Sequence, residues 1–307
     1  MRLAQASRAA VLALTILWST NFSIVKKIYE SGLAPSDYAA LRFLLAAAAL
    51  LPLARWDNRK LLAGSASCGL WVAGGYMTQA IALTTASANK GALICSSQVV
   101  FVALVNAIAT RTFAARTWAA ALLAVGGVGL LELAGPVSPE LSDLWCLGMP
   151  VCFGMGYIRL EALMEAYPRD ARTVSALKVA VVGAVALCWS AARAVLEPGG
   201  AHLLEALQSP SLPWPALLYT GLVTTAGAIL VESYAFKYVP ATDAAVILAT
   251  EPLWASLCAA YLIGERLSST DMAGGALVIA ACVVNEIKLG GGGAAKHEEG
   301  APGRKGD

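Results

Sequence analysis

The chain has 307 residues, of which 58% are hydrophobic and only 14% charged, with a net charge of +2. A soluble domain carries roughly 25% charged residues, so a water-soluble globular protein is excluded. The absence of basic clusters interleaved with aromatics speaks against nucleic acid as a partner. The charges fall between long apolar runs, and a bilayer core of about 30 Å takes roughly 20 helical residues. The chain therefore reads as an all-α integral membrane protein.

Pro, Gly and charge clusters divide it into ten predicted transmembrane helices, near 8–27, 36–55, 61–83, 88–110, 115–133, 142–164, 172–195, 214–237, 242–263 and 270–288. The first opens basic and then apolar, like a signal peptide. No small-residue cleavage site follows, so it reads as a first span, with Asn21 at mid-depth. The second span holds Arg42, and a charge inside a span costs about 2.5–3.5 kcal/mol at the helix centre. Either Arg42 snorkels to nearby water or it lines a path. Ser65, Gly69 and Ala73, spaced by four in the third span, predict close helix packing, and Tyr76 and Gln79 follow them. Ser97 and Gln98 are hydrogen-bonding groups in the fourth span. They serve either helix–helix contacts or a solute path, as Asn21 and Gln79 do.

The sixth span carries Tyr157, and a disulfide between Cys146 and Cys152 is left open. Lys178 in the seventh span faces the same alternatives as Arg42. A longer connection, 197-EPGGAHLLEALQSPSLPWP-215, has room for a surface helical turn. In the eighth span Tyr234 lies deeper than an interfacial belt, whereas Glu232 and Lys237 read as an exposed helix end. The ninth span places Glu251 beside Pro252 within 249-ATEPLWASLCAAYLIGERLSS-269. Pro252 cannot donate to the carbonyl of Leu248, so a kink is predicted there. The freed carbonyl and the carboxyl are tolerable only in the bundle interior. Glu251 is the coupling candidate for protons; the plainer reading is a glutamate that fixes the kink. Glu265 and Arg266 shape the turn before the tenth span, beside the capping-box-like 268-SSTD-271. The tail 290-GGGGAAKHEEGAPGRKGD-307 has no apolar face and is expected to be disordered.

Lys and Arg in the connections set the orientation. With the N-terminus cytoplasmic, fourteen of them fall on that side and five on the other, while Arg42, Arg159 and Lys178 lie within spans. Both termini are thus expected on the cytoplasmic side, and whether the membrane is a plasma or a plastid or other organelle membrane stays open.

The sequence also repeats. A shift of 154 aligns residues 97–132 with 251–286 without a gap, a shift of 136 pairs Arg42 with Lys178, and a shift of 135 pairs Trp18 and Phe22 with Phe153 and Tyr157. Two repeats of five spans, 1–134 and 140–288, followed by a cytoplasmic tail at 289–307, make the second copy enter the membrane inverted. Secondary transporters use this design with substrate held near the midplane.

The stretches 18-WSTNFSIVK-26, 36-SDYAALRFLLAA-47, 84-TTASANKGALI-94 and 239-VPATDAAVILATEPLWASLCAAYLIGERLS-268 resemble EamA-type members of the drug/metabolite transporter superfamily, and the likeness covers nearly all of residues 8–288. The resemblance implies a ten-helix, two-repeat carrier, exporter or exchanger, for small organic solutes or metabolites. The first repeat departs from the pattern, with Ser97 and Gln98 where the second has Glu251 and Pro252, and Arg111 in place of Glu265.

The alternatives weigh less. An organic-anion or phosphate-ester exchanger of an organelle membrane would draw on Arg42, Lys90 and Lys178. A channel needs a continuous polar stripe or ring of charge, and no span shows one. A membrane-embedded enzyme lacks its motifs: H-E-x-x-H and G-x-S-x-G are absent, and both histidines, His202 and His297, lie outside the spans. No phosphate loop occurs. The expected solute-path residues are Asn21, Arg42, Tyr76, Gln79, Ser97, Gln98, Tyr157, Lys178, Tyr234 and Glu251. No catalytic residue, metal or cofactor is expected. The expected partners are a small-molecule solute and the lipid bilayer, with a homodimer left open.

Overall fold

Long apolar runs satisfy their backbone polar groups internally only as helices when water is excluded, and the described residues of the computed structural model form helices joined by short connections. The described residues are 2–30, 32–82, 94–132, 143–197, 203–208, 212–254, 257 and 269–286. The main helices in chain order are α1 (Arg2–Glu30), α2 (Pro35–Leu50), α3 (Arg59–Ala82), α4 (Gln98–Thr110), α5 (Ala115–Glu132), α6 (Asp143–Ala166), α7 (Ala171–Leu196), α8 (Trp214–Ala235), α9 (Ala241–Leu248) and α10 (Ser269–Glu286). A short helix, Leu203–Gln208, occupies the connection before α8. By length and composition Pro35–Leu53, Ala171–Leu196 and Trp214–Ala235 are each apolar enough to cross a membrane; Ile94–Thr110, Ala115–Leu130 and Met272–Val284 are shorter apolar helices.

Local chemistry sets several ends. α2 begins with Ala34 extended and Pro35 in its first turn, with Asp37 at the positive end of the helix. α9 begins the same way, after Pro240 and with Asp243 in its first turn. α4 stops at Arg111, whose φ of 53° is left-handed and closes the helix.

The helices pack side by side, α2 and α7 as an antiparallel pair. α2 and α7 run side by side along their whole length: Asp37 meets Ser190, Phe43 lies against Gly183, and the Arg55 amide donates to Thr173 Oγ1 at 3.0 Å. α3 crosses α7 at Gly69, where a Cβ would lie 2.8 Å from Val181 and 2.9 Å from the Lys178 carbonyl. The small-residue spacing in α3 is therefore a close approach of backbones, as expected. α5 and α10 touch at Gly127, where a Cβ would lie 2.7 Å from the Gly274 carbonyl oxygen. The largest apolar cluster runs from Val11 through Phe43, Val72, Val102, Val179 and Ile229 to Val246, joining α1 to α9.

The contact pattern has an internal order. α2 packs on α7, α4 on α9 and α5 on α10. The pairing of α3 with α6 is matched by α8 with α1, that of α3 with α7 by α8 with α2, and that of α4 with α6 by α9 with α1. Exchanging each of the first five helices for the one five places later leaves these neighbours unchanged.

Two expectations are corrected and two alternatives left open are narrowed. Neither Arg42 nor Lys178 snorkels, since they are 6% and 2% exposed. Glu232 is no exposed helix end: it is 5% exposed and faces Lys178. Cys146 and Cys152, both on α6, are not joined by a disulfide. Tyr234 is at the surface, where its hydroxyl accepts from Arg172 Nε and Lys237 sits over its ring at 4.2 Å. Lys90, Glu265, Arg266, Ser268 and the tail lie outside the described residues.

Candidate functional site

The polar groups predicted within the spans gather where the first five helices meet the last five. α8 contributes most of the partners. Its segment Tyr219–Gly227 is wound as a π-helix, the wider form that recurs at functional sites. The hydroxyl of Thr225 donates to the Thr220 carbonyl five residues back and accepts from Arg42 Nε at 2.7 Å. Thr224 Oγ1 donates to Asn21 Oδ1 at 2.7 Å, and the Thr224 carbonyl accepts from Trp18 Nε1 at 2.9 Å. Asn21 is thus tied to α8.

Arg42 and Lys178, paired by the repeat, have different surroundings. Lys178 on α7 forms a buried ion pair with Glu232 on α8, and Ser175 donates to Ser233 Oγ one helical turn away. This cation is neutralised. Among the described residues no ion pair joins Arg42 to a carboxylate. Its guanidinium lies 5.3 Å from the ring of Phe43 and 5.7 Å from that of Tyr76. Tyr76 stands edge-on to Phe153 at 5.2 Å, and Tyr157 stacks on Phe236 at 5.6 Å. Charge on Arg42 also reaches Tyr29, which packs edge-on against Tyr38 at 5.7 Å. The Tyr38 hydroxyl is buried and has no hydrogen-bond partner.

Glu251 is partly buried, with Tyr76, Tyr157 and Cys95 within its electrostatic reach. The helix regularity of α9 stops at Leu248 and resumes at Glu251 after a turn at Ala249 and Thr250, the interruption that Pro252 predicted. The fourth helix breaks as well. A helical turn at 94–96 is separated from α4 by Ser97, whose hydroxyl donates to the Ile94 carbonyl at 2.6 Å. Gln98 follows, 5% exposed, with its amide oxygen unpaired. Gln79 is partly buried on α3.

Two ion pairs sit at opposite ends of the bundle, and each joins an early helix to a late one. Arg8 on α1 bonds Asp243 on α9 at 2.6 Å. Arg193 on α7 bonds Asp37 on α2, whose other oxygen accepts from Ser190.

The structure thus brings together Arg42, Tyr76, Tyr157 and Glu251, ties Asn21 and Lys178 to α8, and leaves Tyr234 outside. Sequence reasoning missed Glu232, Thr225, Tyr29 and Tyr38. The threonines of 219-YTGLVTTAG-227 in an apolar run were the available signal for Thr225. Tyr29 and Tyr38 sit at span ends, where an interfacial belt explains them.

The sequence matches the EamA-like transporter family twice, over residues 8–133 and 141–286. It is 26% identical to a probable biotin transporter of Pseudomonas aeruginosa over 225 residues, 70% of this chain and 75% of that protein. It is 25% identical to the uncharacterized transporter YwfM of Bacillus subtilis over 89% of this chain and 91% of that one. An uncharacterized transporter of Archaeoglobus fulgidus is 23% identical over 89% and 83%. Among solved structures, the crystal structure of a protein 18% identical to this chain agrees with a TM-score of 0.70, covering 92% of this chain and 97% of that one; at that identity the likeness is one of fold. With two matches that together span most of its length, this multi-pass membrane chain belongs to the EamA-like transporter family.

Proposed function

We propose that this membrane transporter is a secondary carrier that moves small organic solutes by alternating access around the Arg42–Tyr76–Glu251 region. The observation that carries the reading is the polar interior between two exchange-related helix sets, with the fourth helix of each set broken beside it. Discontinuous helices at a repeat interface are where carriers of this kind hold solute.

Inverted topology is part of the proposal. The neighbour pattern is unchanged when each helix is exchanged for the one five later. The α2–α7 pair carries the exchange to residue level. Adding 136 to Asp37 gives position 173, and adding 136 to Arg55 gives 191. Asp37 bonds Ser190, and Thr173 bonds Arg55. The two hydrogen bonds are exchange mates to within one residue, at opposite ends of an antiparallel pair. The repeats are proposed as 1–134 and 140–288, with both termini cytoplasmic. Rocking one repeat against the other would break the Arg8–Asp243 pair at one end or the Arg193–Asp37 pair at the other. Glu251 is the proposed coupling residue for protons.

The test is flux into proteoliposomes of the purified protein. Biotin, suggested by one relative's name, and a mixture of small metabolites serve as probes. Counterflow without nucleotide supports a carrier. Flux that grows linearly with no saturation supports a channel, and no flux of any solute ends the transport reading. Glu251→Gln keeps the shape: retained exchange with a lost response to a pH gradient assigns coupling to Glu251, and an unchanged response removes it.

A further inference from the structure

Backbone groups inside a membrane must each find a partner, so a helix that leaves its usual hydrogen-bond pattern shows what it has gained instead. α8 does so within Tyr219–Gly227. The Ala228 amide donates to the carbonyls of Val223 and Thr225, five and three residues back, and passes over that of Thr224. The released Thr224 carbonyl accepts from Trp18 Nε1 on α1 at 2.9 Å. The same widening sets the Thr225 hydroxyl on the Thr220 carbonyl at 2.7 Å and on Arg42 Nε, also at 2.7 Å. Two more bonds tie the segment to α1: Thr224 Oγ1 donates to Asn21 Oδ1 at 2.7 Å, and the Tyr219 and Thr20 hydroxyls meet at 3.0 Å. Contacts from the first and second helices thus converge on one irregular stretch of the eighth.

The other half of the molecule supplies the comparison. Under the 135-residue shift Trp18 corresponds to Phe153 and Asn21 to Gly156, and the helix that α6 packs on, in the place of α8, is α3. Phe153 presents a ring without an N–H, and it lies against Gly75, where a Cβ would be 2.6 Å from it. Gly156 has no side chain to offer. α3 is a regular α-helix from Arg59 to Ala82. The repeat that carries the indole donor faces a widened helix, and the repeat that lacks it faces a regular one.

We infer that Trp18 is a positioning residue that sets the winding of α8, and through it the hold of Thr225 on Arg42. While α1 lies against α8, the indole N–H occupies the Thr224 carbonyl, the stretch stays wide, and Arg42 is tethered through Nε. When α1 draws away, the Thr224 carbonyl returns to the Ala228 amide. The stretch then narrows to ordinary α winding, its side chains turn on the helix surface, and Thr225 leaves Arg42. α8 is a two-state element that links the movement of one repeat against the other to the freedom of an interior cation. This rests on the carrier reading above and assigns a part of its machinery, whatever the solute.

The structure of Trp18→Phe tests the winding directly, since Phe is what the other repeat carries. α8 is expected to be a regular helix through 219–227, with the Ala228 amide on the Thr224 carbonyl and Arg42 Nε no longer on Thr225. Wide winding retained without the indole donor overturns the inference. Benzothienylalanine at position 18 has the shape of the indole without its N–H, and it gives the same reading if Phe leaves a gap that hinders folding. The functional arm is side-specific labelling of Gln98→Cys in cysteine-free protein in liposomes. Trp18→Phe is expected to shift the ratio of modification rates from the two faces about fivefold, the equivalent of one hydrogen bond of about 1 kcal/mol made in one state alone. A contact that merely supports the fold lowers the melting point and leaves the ratio at the parent's value, which also overturns the inference. The two levels fail separately: absence of solute flux in the parent rejects the carrier, whereas the winding of α8 in Trp18→Phe is read without any solute and stands or falls by its own structure.

Discussion

Removing one partner of the Lys178–Glu232 pair gives the sharpest energetic prediction. The two side chains are 2% and 7% exposed, so neither has water to replace a lost partner. In Glu232→Ala the ammonium stays on α7, between α3 and α8, with a cavity where the carboxylate was. Breaking a buried pair costs about 3–5 kcal/mol, and a lone charge at mid-helix costs about 2.5–3.5 kcal/mol on insertion scales. The overlap of the two ranges sets the expectation near 3 kcal/mol. At about 2 °C per kcal/mol for a chain above 250 residues, the melting point should fall by roughly 6 °C. Replacing both partners, Lys178→Met with Glu232→Leu, removes the orphan charge and should return stability to within about 1 kcal/mol of the parent. The assay is thermal unfolding in detergent of the parent, both single variants and the double variant as a cycle. A single variant that loses less than about 1 kcal/mol, or a double variant as unstable as the worse single, refutes a buried charged pair at this place.

Further expectations follow from neighbouring contacts. Asp37→Asn leaves Ser190 and the partly buried Arg193 with a neutral partner and should cost about 1–3 kcal/mol, read as a lowered melting point; no change would mean that this end is held elsewhere. Gly69→Ala and Gly126→Ala make the same chemical change with opposite expected signs. The first puts a methyl group 2.9 Å from the Lys178 carbonyl and should destabilise by about 1–3 kcal/mol. The second meets nothing within 4 Å and should stabilise by about 0.5–1 kcal/mol; the melting points of the two variants check both. Arg8→Gln removes an ion pair whose arginine is 30% exposed. Its stability should move by less than about 1 kcal/mol, so a large change in flux at unchanged melting point would mark this contact as one that opens.

The helices were legible because apolar runs of membrane-spanning length are separated by Pro, Gly and charge. The α9 interruption was legible for the same kind of local reason, since Pro252 removes a donor whatever surrounds it. The α4 interruption was not, because Ser97 breaks no hydrogen bond by its covalent structure. Glu232 shows where local reasoning stops. Near a helix end and five residues before Lys237, it looks solvated, yet it is claimed by Lys178, 54 residues earlier on another helix. The repeat pairing found Arg42 and Lys178 together but gave no means of telling which of the two is paired with Glu232. That distinction depends on what α8 presents to each: a threonine of its π-helix to Arg42, and a carboxylate one segment later to Lys178. Tyr234 was misplaced because helix depth says nothing about which face a residue occupies.

Alternating access around one interior site is the central claim, and side-specific labelling tests it most directly. A cysteine-free protein carrying Gln98→Cys is reconstituted in liposomes in known orientation and treated with a membrane-impermeant thiol reagent from one face or the other. The account predicts modification from both faces in separate experiments, with protection from both by a transported solute. Modification from one face only, or from neither, would contradict it.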